Sequence, residues 1–349
     1  MADYRIANKA KKRQTLDTGK KNILIIGSSN NSSQSKVILN PVNIETARQL
    51  YGEDNDLFRA YKIAYEITND SNIYTVNCPM STDFIEIIDT IINYDFNYIV
   101  PINIYIDDTF INPVNDKKTY FCNYYIERLG LVDNLATLIM TDRPSNLYDS
   151  MDDYILALKT SFREYKTASL HLLERFGSNI VFTLNNFNEY CYSNVLLAAI
   201  LSINTFTKYP NSVSYKTHFD IDAIDLNNTD FTYFKYCENT NSSTIENLKN
   251  LKTEEDIYKW VLIDEMIKYV IRSLNLDDYR GKLYSPYINV QINTRVKKLL
   301  EDMKGVVFKD YTVGKIQFVK IAPAVGYINI EVSVVPFGTL ESINIVMGV

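Results

Sequence analysis

The residues best suited to chemistry in this 349-residue chain are few, for it holds only 2 histidines and 4 cysteines. The densest cluster is THFDIDAID at 217–225, with His218, Asp220, Asp222 and Asp225. On a strand, alternate side chains share a face, so His218, Asp220 and Asp222 could line up as cation ligands. The same spacing also describes a solvated edge whose Phe219 and Ile221 pack inward, and no second His or Cys pair stands nearby to complete a transition-metal set. Hydrolysis through an activated Ser or Cys would need His171 or His218 as its base. His171 falls inside YKTASLHLLERFG, where a helix face is the expected setting, and no GxSxG elbow occurs. The carboxylate pairs Asp107-Asp108 and Glu254-Glu255 fall in a loop and at a helix start, where capping accounts for them.

Phosphate binding fares no better. NILIIGSS (22–29) reads as a buried strand running into a loop, the place where a phosphate cradle would begin. After Gly27 the next glycine is Gly52, and Lys36 has no motif around it, so neither GxxxxGK[ST] nor GxGxxG is present. Cys78, Cys122, Cys191 and Cys237 are widely separated, without a CxxC pair. With a polar rather than apolar start, they read as reduced thiols in a cytoplasmic setting. The longest apolar run, VLLAAILSI at 195–203, is too short to cross a membrane. The expectation is a chain without catalytic centre, cofactor or metal.

Charge and pattern are more informative. Net charge is −6, yet residues 1–21 carry 7 basic and 2 acidic groups, which leaves the remainder near −11. A basic arm can contact nucleic acid, but so acidic a body repels phosphate. An arm lying on an acidic neighbouring subunit fits equally well. The 27 tyrosines match the bias of an AT-rich genome, which needs no functional cause, although Tyr also suits interfaces because it buries a ring and keeps a hydrogen bond.

The elements alternate. Strands are expected at 22–29, 72–78, 98–106, 136–142 and 179–187. Helices are expected in IETARQLYG and LFRAYKIAYEIT, and at 83–94, 119–130, 151–176 and 192–206. Strict alternation implies α/β architecture, a largely parallel sheet with helices on both faces, placed at 22–210. Residues 211–254 are polar and Asn/Thr-rich, and read as a linker or irregular lobe with short strands. From 255 to 349 the pattern predicts two helices, at 254–275 and about 289–304, followed by an antiparallel meander, an α+β unit. In YINIEVSVVP the residues Ile328, Ile330, Val332 and Val334 alternate with Asn329, Glu331 and Ser333, and SINIVMGV repeats the pattern to the last residue. Such terminal strands either close their own sheet or complete a neighbour's edge.

This order of elements resembles that of contractile tail sheath proteins of myophages and R-type bacteriocins. The resemblance is carried by WVLIDEMIKYVIRSLN, then YSPYINVQINTRVKKLLEDMKGVVFKDYTV, then INIEVSVVPFGTLESINIVMGV. Two earlier stretches, NIETARQLYGEDNDLFRAYKIAYEITNDSNIYTVNC and SNVLLAAILSINTFTKYPNSVSYK, resemble the first and middle segments of short sheath proteins. Two departures stand out. LYSPYIN keeps only part of the family's inter-helix segment, and the Pro-Gly-Val-type opening is missing from MADYRIANKAKKRQTLDTGK, which leaves room for a sheath-like adaptor, initiator or collar.

The resemblance implies a structural, non-enzymatic subunit that stacks with copies of itself as six-fold rings around a tail tube and contracts to drive that tube through an envelope. Implied partners are the tube, baseplate and tail terminator proteins, with no cofactor, membrane or direct nucleic-acid contact. The implied location is a virion tail assembled in a host cytoplasm. Residues 1–21 become an extended arm with Tyr4, Ile6 and Arg13 as its contacts between subunits. Ile328, Ile330, Val332, Val334, Ile343, Ile345 and Met347 become the C-terminal sheet that links subunits, completed by terminal arms. The helix bearing Arg295, Lys297, Lys298 and Lys304 becomes the tube-facing element, although a solvated helix face explains the same residues.

Overall fold

The computed structural model describes residues 21–29, 36–69, 72–79, 83–112, 115–132, 134–187, 192–203, 212–218, 230–252, 261–274, 276–279, 285–322 and 325–336. They fall into two compact units, one running through Val261 and one from Leu262 onward.

The first unit contains, in order, β1 (Ile23–Gly27), β2 (Ile38–Leu39), α1 (Ile44–Tyr51), α2 (Asp56–Thr68), β3 (Ile73–Asn77), α3 (Phe84–Ile91) and β4 (Tyr98–Pro101). The β5–β6 hairpin (Thr109–Asn112, Lys117–Tyr120), α4 (Phe121–Val132), β7 (Thr137–Thr141), α5 (Met151–Phe176), β8 (Ile180–Thr183), α6 (Ser193–Ile203) and the β9–β10 hairpin (Tyr233–Cys237, Ser242–Glu246) follow. One six-stranded sheet of order β2-β3-β1-β4-β7-β8 organises it. All its pairings are parallel except β2 with β3.

The apolar run ILIIG is buried at every position of β1, as a strand covered on both faces requires. Leu24, Ile26, Ile99, Leu138, Met140, Ile180 and Phe182 share a core with the apolar stripes of α3, α4 and α5. The alternate residues Ile23, Ile25, Val100, Ile139 and Val181 are equally buried, and α2 and α6 pack on these strands. Polar caps set the helix starts: Asn43, Asn55 and Ser150 each accept a backbone N–H with their side-chain oxygen. Gly130 lets α4 meet α5 closely, since a Cβ there would stand 2.6 Å from the Phe176 ring.

Two strands end earlier than expected. The strand expected at 98–106 ends at Pro101, and the one at 179–187 ends at Thr183. Pro101 has no N–H for the ladder, and Asn103 adopts φ +58°, although Ile102, Ile104 and Ile106 remain buried. The described part of 211–254 carries the short strands β9 and β10 and groups with the first unit. Thr232 bridges Thr183 and Asn250 bridges Val181 along β8. Phe231 packs on Phe162 and Phe182, and Lys166 pairs with Asp230 at 2.5 Å. At the opposite edge the sheet ends in β2, only two residues long and followed closely by Pro41. Both margins of this sheet are therefore blunted.

The second unit holds α7 (Val261–Ser273, whose first residue closes the first unit), α8 (Pro286–Met303), β11 (Asp310–Ala322) and β12 (Val325–Val335). Ser285 caps α8 and Pro286 occupies its first turn, where a missing N–H costs nothing. Val270 and Met266 of α7 join Ile292, Val296, Leu300 and Met303 of α8, with Val307 and Phe308, in a separate core.

Candidate assembly surface

Among the described residues, none of those suited to chemistry gathers into a reactive site. The His218 backbone N–H donates to Asn186 O at 2.6 Å and its side chain is exposed, while Asp220, Asp222 and Asp225 lie outside the described residues. His171 is exposed on α5. Asp108 accepts the Tyr105 N–H at 2.8 Å and the Arg143 guanidinium at 2.9 Å, with Asp107 3.5 Å from the same group. These carboxylates hold a loop. Cys78, Cys122 and Cys237 are free thiols, and Cys191 lies outside the described residues. Among the described residues no group of three or more His, Cys, Asp or Glu could hold a metal, and no helix is long and apolar enough to cross a membrane.

The parallel sheet does create a switch point between β1 and β4, where ligands of open α/β sheets usually sit. Here protein groups occupy it. A Cβ on Gly27 would approach Ile102 Cδ1 to 2.9 Å. Tyr192 donates to Asp56 at 2.7 Å, and the Asn103 amide donates to the other Asp56 oxygen at 2.6 Å.

The second unit presents a different kind of surface. Its sheet has just two described strands, 13 and 11 residues long, and neither pairs with a described residue along its outer edge. Ile328, Ile330, Val332 and Val334 turn toward the α7–α8 core together with Tyr311, Val313 and Ile316. Asn329, Glu331 and Ser333 are exposed on the other face, as their alternation predicts. An isolated hairpin is marginal in water, so this one relies on its helices and, among the described residues, leaves a long edge free.

Register is fixed by features that the alternation did not reveal. Val313 pairs with Val332 and Ile316 with Ile330, so Gly314 and Lys315 together oppose Glu331. This bulge keeps Val313 and Ile316 on one face although their numbers differ in parity. The slip is visible in YTVGKIQF once a bulge is allowed. At the other end Gly305 turns the chain out of α8 at φ +81°, and the Lys309 N–H donates to Val335 O at 2.8 Å.

The four basic residues of the α8 region are divided. Arg295 pairs with Asp278 at 2.9 Å, and Lys304, the residue capping α8, pairs with Asp310 at 2.9 Å. Asp278 holds the Arg295 guanidinium above its ordinary range, and the same holds for Lys304 beside Asp310. Lys297 and Lys298 are exposed on the outward face, which also carries Tyr287 (70% exposed) and Val290 (63% exposed). At 100° per residue Arg295 and Lys297 stand about 160° apart around the axis, so the charges do not form a single stripe. Tyr4, Ile6, Arg13, Ile343, Ile345 and Met347 all lie outside the described residues.

No protein-family model matches the chain, and no curated protein matches it. Solved structures do. A chain of the anti-feeding prophage baseplate, determined with six-fold symmetrisation, has a TM-score of 0.62 at 11% identity, over 99% of this chain and 96% of its own. A chain of the contracted PVC sheath complex, from an extracellular contractile injection system, gives 0.62 at 10% identity, covering 99% and 95%. The sheath tail protein of Desulfitobacterium hafniense gives 0.55 at 7% identity, covering 95% and 100%. The polypeptide has the fold of contractile-sheath proteins along nearly its whole length.

Proposed function

We propose, from a fold shared with contractile-sheath proteins, that this chain is a structural subunit of a contractile tail sheath. It stacks with its own copies as six-fold rings around a tail tube and contracts to drive the tube through a target envelope. Baseplate and tail terminator proteins bound the stack, in a virion tail assembled in a host cytoplasm. Membrane and nucleic acid make no direct contact, and no cofactor takes part, because the work is stored in the packing between copies.

The observation that carries this reading is the β11–β12 hairpin, apolar on one face and unpaired on its outer edges among the described residues. Its backbone groups suit strand addition, in which an extended segment of another copy supplies the missing ladder. Residues 4–20, with Tyr4, Ile6 and Arg13 as contacts, and the terminal strand bearing Ile343, Ile345 and Met347 are the exchanged pieces. The contrast with the blunted margins of the six-stranded sheet supports this division of labour. Lys297 and Lys298 are the charges that α8 offers to an acidic tube.

Negative-stain microscopy of the purified protein, alone and with tail tube, tests the proposal. Hollow rings or helical polymers are expected, and monodisperse monomers under every condition would overturn it. A second reading, a non-contracting adaptor, initiator or collar, draws on the likeness to a baseplate chain. It predicts short capped stacks on the tube in place of long sheaths.

A further inference from the structure

The first described residues of the chain are tied down unusually well. The Lys21 ammonium donates to the backbone carbonyl of Leu201, in the last turn of α6, at 2.8 Å. The Tyr98 hydroxyl donates to the same carbonyl at 3.4 Å, and Lys21 Nζ lies 5.9 Å from the centre of the Tyr98 ring. Last-turn carbonyls lack intrahelical partners and sit at the negative end of the helix dipole, so a cation is favoured there. Asn22 is held from both sides: its N–H donates to Asn97 Oδ1 at 2.8 Å, and its carbonyl accepts from the N–H groups of Asn97 (3.0 Å) and Tyr98 (3.1 Å). One residue later, the Ile23 N–H donates to Asn72 O at 3.0 Å.

This arrangement has a mechanical meaning. β1 is an interior strand of the six-stranded sheet, and residues 1–20 continue directly from its amino end. A pull on that segment directed across the sheet would open the β1 ladder from Ile23 one pair at a time. With Lys21 bonded to α6 and stacked on Tyr98 of β4, tension passes first into α6 and the neighbouring strand.

We infer that Lys21 is a positioning residue, a fixed root that joins the basic N-terminal segment to the end of α6 and shields β1 from being peeled when a second copy of the chain holds that segment. The inference rests on the proposed arm exchange for its purpose, while the root itself exists in the free monomer.

Two measurements separate those parts. In the full-length monomer, amide hydrogen exchange at Asn22 and Ile23 is expected to quicken about tenfold in Lys21→Met, which keeps the aliphatic stem but removes the charge-assisted bond; Lys21→Arg should restore protection. Unchanged exchange in Lys21→Met would overturn the root. So would loss of the monomer fold in that variant, because Lys21 would then be an ordinary structural residue. In the second measurement, Lys21→Met is expected to need about tenfold more protein than the natural chain to form polymers, with Lys21→Arg close to natural. Faster exchange with unaltered assembly would overturn the positioning role. Failure of the natural chain to polymerise at all would instead count against the sheath reading and limit Lys21 to no role in assembly.

Discussion

Gly314 of β11 lies directly beneath Glu331 of β12: a Cβ on Gly314 would stand 3.0 Å from both the Cβ and Oε2 of Glu331. That proximity exists because Gly314 and Lys315 share one partner across the hairpin. The extra residue sets which side chains face the core. Deleting Lys315 should leave Gly314 alone opposite Glu331 and keep Tyr311 and Val313 facing the core, since Val313 and Ile316 would then stand two positions apart on a regular strand. The expected result is a change of no more than about 1 kcal/mol in the second unit, read from its denaturation midpoint. Gly314→Val should cost about 1–3 kcal/mol by overpacking against Glu331. A loss of several kcal/mol on deleting Lys315, or an unchanged midpoint in Gly314→Val, would contradict this register.

Removing residues 1–20 should leave a folded monomer with the thermal stability of the full chain, because Lys21 and Asn22 keep their partners. Polymerisation should disappear. Light scattering and microscopy check this, and ordinary sheaths from the truncated protein would sink the arm exchange.

A pH effect follows from Asp142, buried at the end of β7. It accepts the Asn185 N–H at 2.8 Å, and burial pushes its carboxyl up from 3.8 to about 7, with hydrogen bonds from its neighbours opposing part of that rise. A carboxyl whose pKa rises on folding favours the folded state while protonated. Its contribution is complete below 3.8 and is lost as pH climbs through about 7. Asp142→Asn keeps an acceptor for Asn185 without a charge to bury. Relative to that variant, the natural protein should lose up to about 1.4 kcal/mol per pH unit between those limits. Chemical denaturation at a series of pH values measures it, and parallel stability curves would remove Asp142 as the cause.

Lys297 and Lys298 separate stability from partner binding. They are exposed and have no ion-pair partner among the described residues, so Lys297→Glu with Lys298→Glu should change stability by less than about 0.5 kcal/mol. Sheath formation on a tube should fail, or require high salt, if α8 meets an acidic surface. By contrast, Arg295→Ala frees Asp278 of the same chain, an exposed pair worth about 0–1 kcal/mol, and should leave tube association intact.

Much of this is legible in the amino-acid sequence. The apolar run ILIIG announces a doubly covered strand, and α5 spans Met151–Phe176 as its amphipathic pattern and Gly177 suggest. The inward set Ile328, Ile330, Val332 and Val334 is readable from alternation. What stays hidden depends on partners distant in sequence. The placement of residues 230–252 is hidden because their ladder partners, Val181 and Thr183, stand far earlier in the chain, although Phe231, Phe234, Ile245, Leu248 and Leu251 are buried there. The basic residues of α8 look like one stripe because Asp278 and Asp310, which engage two of them, lie outside that helix. Local pattern reports faces well and pairings poorly.

The cover that residues 230–252 lay over β8 also governs how this polypeptide can be divided. A fragment ended at 210, where composition changes, would strip the bridges at Thr183 and Val181 and expose Phe182 beside a bare strand edge. Ended at Val261 instead, the fragment keeps those bridges and all the described residues of the first unit.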